Sequence, residues 1–124
     1  MLRFFLACTL LFPCLANAGS DINPASCQRI AMGPGPDDMH LQSLAVPRLI
    51  ISSHDRRHFR NHGNLYALPL DSLKAGIMAR TGEPDGFTLR PHGLDLTQRD
   101  GRWWLYVINH DKELFSDQHT LVIY

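Results

Sequence analysis

Apolar and polar positions along this chain form short blocks, not long amphipathic runs. PRLIISS, residues 47–53, is a brief apolar block with β-branched character, and Arg48–Ser53 reads as a strand. NLYALPL, residues 64–70, reads as a second strand paired back toward the first. The polar stretch between them, HDRRHFRNHGN, ends in turn residues at Asn61–Asn64. DSLKAGI reads as one helical turn with Asp71 or Ser72 as its N-cap, and TGEPDG as a loop. Then come FTLRPHGLDLT, QRDGR and WWLYVINH, with Asp100-Gly101 between apolar runs as a hairpin signal. HTLVIY reads as a last strand. Short strands punctuated by turn signals point to an all-β barrel, sandwich or propeller.

In WWLYVIN both faces are apolar, with Trp104, Tyr106 and Ile108 on one and Trp103, Leu105 and Val107 on the other. A half-solvated strand alternates, so this pattern predicts burial on both sides, as in a propeller blade between neighbours. The hairpin leaves two registers open. A three- or five-residue loop centred on Asp100-Gly101 sets His92 opposite His110. An even loop pairs His92 with Asn109 and sends the two imidazoles to opposite faces.

The N-terminus carries a different signal. Arg3, the apolar FFLACTLLF and the small-residue site Ala16-Asn17-Ala18 fit a signal peptide over residues 1–18, which predicts export to the periplasm or the medium. The apolar run is short of the ~20 residues of a membrane span, so no stable span is expected after cleavage. A lipid anchor at Cys14 is poorly supported by its Phe12-Pro13 run-up. Residues 19–36, rich in Gly, Pro and Ser, read as an irregular arm. Lys plus Arg and Asp plus Glu balance at 12 each, which argues against a nucleic-acid partner. Cleavage after Ala18 leaves Cys27 as the lone cysteine: a free thiol, an intermolecular bond, a cysteine whose partner is missing, or an inert buried residue.

PHGLDL and LYVINH, preceded by GPGPDDMHL and LIISS, resemble the N-terminal third of the paraoxonase/arylesterase family. These are exported, calcium-dependent six-bladed β-propellers that hydrolyse esters and lactones, in a neighbourhood that includes the SMP-30/gluconolactonase and strictosidine-synthase-like propellers. The resemblance runs from about Cys27 onward and is most specific at the Asp-Asp, His-Gly and Asn-His motifs. It implies that Asp37 stands where the family has an acidic ligand, usually Glu, of the catalytic calcium. Asp38 matches a ligand of a second, structural calcium, to which Leu94 would offer its backbone carbonyl. His92 matches the proposed general base, and His110 its partner in proton transfer. Cys27 matches a cysteine that some members bond to one near the far C-terminus. The chemistry is coherent: Ca2+ takes 6–8 oxygens and polarises a carbonyl, and imidazole accepts a proton near neutral pH.

Residues 19–124 suffice for about two of the expected six blades at roughly 40–50 residues each. The fold expected is therefore all-β, a partial β-propeller after a signal peptide and an arm. The function expected is that of a fragment of an exported calcium-dependent ester or lactone hydrolase, inactive alone because later ligands are missing. The alternative is a small exported β-domain with a binding role, or a remnant without activity. Oligomeric state and substrate are not legible. His54, His58 and His62 recur at four-residue spacing, as zinc or copper ligands on a helix would, but Asn61, Gly63 and the intervening arginines favour a solvated loop.

Overall fold

The computed structural model describes residues 27–58, 62–113 and 116–124. The signal-peptide expectation, and the arm up to residue 26, lie outside the described residues. Among the described residues seven strands make two antiparallel sheets. β1 (Pro36–Gln42), β2 (Arg48–Ser53), β3 (Asn64–Pro69) and β4 (Gly76–Ile77) form the first in sequence order. β5 (Pro91–Arg99), β6 (Arg102–Glu113) and β7 (Ser116–Ile123) form the second, also in sequence order. The protein is thus all-β in its described residues, and β2, β3 and the hairpin lie where the pattern placed them. Among those residues no helix is long and apolar enough to cross a membrane.

Two expectations about the first sheet are corrected. β1 begins at Pro36, the last residue of the stretch read as an arm, and carries the Asp37-Asp38 pair in a strand that the pattern did not announce. Asp is depleted in strands, and the apolar positions Met39 and Leu41 are exposed, so neither propensity nor burial marks this strand. Residues 71–77 form a turn and a two-residue strand, not a helical turn. Leu73 sits at φ 53°, a left-handed conformation that stops a right-handed helix, and its amide closes on the Pro69 carbonyl at 3.0 Å.

β2 explains how the sheets meet. Its side chains alternate, so Ile50 and Ser52 face one way and Ile51 and Ser53 the other. Ile50 joins Leu65, Leu89, Leu96, Leu105 and Val107 in a core between the two sheets. Ile51 packs with Tyr66 and Leu68, under Ile30 and Met32 of the strandless segment before β1. Ser53 ties that segment down by donating to the Pro34 carbonyl at 2.6 Å. Both faces of β2 are therefore covered, which is why its apolar block does not alternate with polar residues.

The expectation that β6 is buried on both faces does not hold here. Leu105 and Val107 are buried against the core, but Trp104 and Ile108 are 37% and 40% exposed. On β7, Leu121 and Ile123 pair with Ile108 and Tyr106, extending the apolar strip on the open face.

Candidate functional site

Two irregularities in the strands build the site. In the β1–β2 ladder Pro36 pairs with Ser53 and Met39 with Ile51, so Asp37 and Asp38 together face one residue of β2. In the β5–β6 ladder Pro91 pairs with Asn109 and Leu94 with Val107, so His92 and Gly93 together face Ile108. Each is a β-bulge, which leaves an extra residue unpaired and redirects its neighbours. β1 and β5 contact each other, and the two bulges meet across that contact.

Backbone and side chain are knitted there. Asp38 Oδ2 accepts the Leu94 amide at 2.9 Å, and Asp38 Oδ1 accepts the Met39 amide at 2.8 Å. Ser52, fully buried, accepts the Asp38 amide at 3.1 Å and donates its hydroxyl proton to the His92 carbonyl at 2.5 Å. One hydroxyl thus fixes both bulges at once.

The second bulge settles the register question. The hairpin turn is the even one: Arg99 pairs with Arg102 around Asp100 and Gly101, at φ 51° and 74°. Both central residues are left-handed, as a type I′ turn requires. By itself that register sends His92 and His110 to opposite faces. The extra residue at His92-Gly93 reverses the alternation, and the rings meet edge to face with centroids 4.8 Å apart. His119, directly opposite His110 on β7, adds a third imidazole at 4.3 Å.

Asp37 receives hydrogen bonds from Arg56 Nη2 at 2.5 Å and from His92 Nδ1. Arg56 also lies against both ring nitrogens of His92. Burial raises the Asp37 pKa, but the bonds and charges of His92 and Arg56 outweigh it and hold this carboxyl below the ordinary range. With its Nδ1–H directed at Asp37, His92 presents Nε2 as the ring nitrogen that can accept a proton. A carboxylate that orients an imidazole in this way is a common device for fixing the tautomer of a base. Beside it, Asp37, Arg56 and residues 54–58 line an open depression of about 510 Å³ below Pro34–Pro36.

All five residues singled out for a site therefore lie at the two bulges or the adjoining ladder. Their chemistry does not fit a calcium ion by themselves. Arg56 neutralises Asp37 and opposes a second cation there, while Asp38 is engaged by two amides. Among the described residues no three His, Cys, Asp or Glu form a group able to hold a metal. The histidine triplet does not converge either: His54 is buried, His58 is exposed and bonded to Asp55 at 2.6 Å, and His62 is exposed. Cys27 is exposed, which removes the reading of an inert buried cysteine.

Three contributors escaped sequence reasoning. Arg56 sat in a polar run with nothing to distinguish it from Arg57. Ser52 looked like the end of a strand. His119 could be paired with His110 only once the β6–β7 register was known. The chain matches no protein-family model, no curated protein and no solved structure.

Proposed function

We propose that this chain carries the histidine half of the site of an exported calcium-dependent ester or lactone hydrolase, as an N-terminal portion of a β-propeller. The reading rests on the motif resemblance and on one observation above others: His92, bonded to Asp37, lies against His110. In this reading His92 Nε2 takes a proton from water as it attacks the carbonyl carbon, and His110 passes that proton on. Asp37 holds the tautomer, and Arg56 balances its charge. Two sheets that each run in sequence order, meeting through their first strands, suit successive blades around a central axis.

Calcium belongs to this proposal through the resemblance alone. When bound, such an ion would polarise the substrate carbonyl. The oxygens to hold it would come largely from outside the described residues, and no proton-transfer step above runs through it.

The test begins with the coding sequence past codon 124. A continuation with Asn- and Asp-rich blade loops and a late cysteine is expected, and its absence overturns the reading. The full chain alone is expected to show little turnover of an aryl ester or a lactone. Joined to its continuation it should turn over, lose activity in excess chelator, and lose most of it in His92→Gln. Undiminished turnover in chelator would refute the calcium-dependent mechanism.

A second reading is favoured by the open face of β6 and β7. Trp104, Ile108, Leu121 and Ile123 make a strip suited to a binding role without catalysis. A continuation-free gene with a stable, inactive product would favour it.

A further inference from the structure

We propose that His110 and His119 form a two-imidazole site for a borderline divalent transition metal, with Zn2+, Ni2+ and Cu2+ as the class. The proposal concerns a different kind of ion from calcium and is tested without hydrolysis; it shares His110 with the hydrolase reading, and a metal bound there would block the proton relay through that ring.

The two residues are direct partners in the β6–β7 ladder. Paired antiparallel strands hold the two backbones side by side, so the two rings start as neighbours, edge to face. The ring centroids are 4.3 Å apart, at an interplanar angle of 69°. Those numbers can be compared with what a metal needs. A Zn–N bond is about 2.0–2.1 Å, which puts a ligating imidazole's centroid roughly 3.2 Å from the ion. Two such centroids 4.3 Å apart would subtend about 85° at a shared ion, near the angle between adjacent ligands of an octahedral or square-planar ion, once rotation about the side-chain bonds turns one nitrogen of each edge-to-face ring toward it.

His92 flanks His110 on the other side at 4.8 Å, but it does not join the site. Its Nδ1 is bonded to Asp37, and the Arg56 guanidinium beside it repels a cation. A metal is therefore favoured on the His119 side, which is exposed and further from that charge. Among the described residues no three His, Cys, Asp or Glu form a group able to hold a metal, so the proposal calls on two imidazoles, with solvent at the remaining positions. Imidazole selects transition metals over Ca2+, a hard cation that takes oxygen ligands.

The experiment titrates the full chain, free of any polyhistidine tag, with zinc chloride in a calorimeter. One Zn2+ per chain is expected, undisturbed by excess Ca2+. His119→Ala, a substitution at an exposed position, should weaken binding by about tenfold or more. His62→Ala, in the other histidine cluster, should leave it unchanged. As a second readout, substoichiometric Cu2+ should broaden the imidazole NMR signals of His110 and His119 before those of His58 and His62. Absence of Zn2+ binding, equal binding in His119→Ala, or a loss in His62→Ala as large as in His119→Ala would overturn the proposal. Because none of these readouts involves hydrolysis, failure here leaves the hydrolase reading intact, and the reverse also holds.

Discussion

The imidazoles of His92 and His110 touch because β5 carries one residue more than β6 between two ladder pairs, not because the hairpin loop is odd. The extra residue is the His92-Gly93 bulge. Gly93 itself is replaceable, since a Cβ there would come no closer than 3.8 Å to Asp38 or Ile108. Gly93→Ala should therefore keep the ring contact and cost under about 1 kcal/mol, the usual range where no clash or cavity is made. Deleting Gly93 restores the plain even register, in which the two imidazoles part. Nuclear Overhauser contacts between the rings should vanish in the deletion and persist in Gly93→Ala, while Gln98–Trp103 contacts survive in both.

Ser52 holds the two bulges together through a single buried hydroxyl. Ser52→Ala removes the acceptor of the Asp38 amide and the donor to the His92 carbonyl while changing little volume. A buried group left without its hydrogen bond costs about 1–3 kcal/mol. The melting temperature should fall accordingly, and the His92 imidazole resonances should shift more than those of His62. A Ser52→Ala protein as stable as wild type would show that the hydroxyl does not tie β2 to β5.

Most of the strand order was legible because it follows from local pattern. β2, β3 and β6 are short apolar runs ended by turn residues, and Asp100-Gly101 announces its own turn type. β1 was not legible, because Asp37 and Asp38 are unfavourable strand residues kept there by a bulge and by bonds to β5. The site was half legible. Motif order brought the Asp pair and both histidines forward, but their meeting depends on two bulges, and a bulge has no signature in hydrophobic periodicity. Ser52, Arg56 and His119 become visible only through partners 14 to 40 residues away or across a ladder.

The two faces of β6 should respond differently to truncation. Leu105 lies in the core between the sheets, so Leu105→Ala should cost about 2–5 kcal/mol. Ile108 is 40% exposed on the open face, and Ile108→Ala should cost less than about 1 kcal/mol. Chemical denaturation of the full chain distinguishes the two. Equal losses would mean that the open face is covered in solution.

Tyr124, just after β7, donates to Glu83, beside Arg80. Burial and the Glu83 carboxylate push its phenol up to about 12, from an ordinary value of 10.0, with Arg80 partly offsetting them. A pKa raised on folding stabilises the protein below the unfolded value, and that contribution disappears as pH climbs from about 10 toward 12. Spectrophotometric titration should show a phenolate component ionising near 12 that is absent in Tyr124→Phe. The variant should also lose less stability than wild type over that alkaline interval.

Asp37 gives the opposite pH dependence. Its folded pKa lies below the ordinary 3.8 because His92 and Arg56, acting against burial, favour the carboxylate. A pKa lowered on folding contributes stability above the unfolded value, and the contribution is lost as pH falls through the folded one. Asp37→Asn lacks the titrating group but keeps the shape. The melting-temperature gap between wild type and Asp37→Asn should stay constant above about pH 5 and narrow below about pH 4, where Asp37 of the unfolded chain takes up its proton before that of the folded one. Asp55, also held low through His58, titrates in both proteins and cancels in the difference. The exposed setting of the cluster keeps the gap small and makes it shrink with added salt. A gap that widened in acid would mean that Asp37 is protonated more readily in the folded chain, and that His92 and Arg56 do not grip its carboxylate.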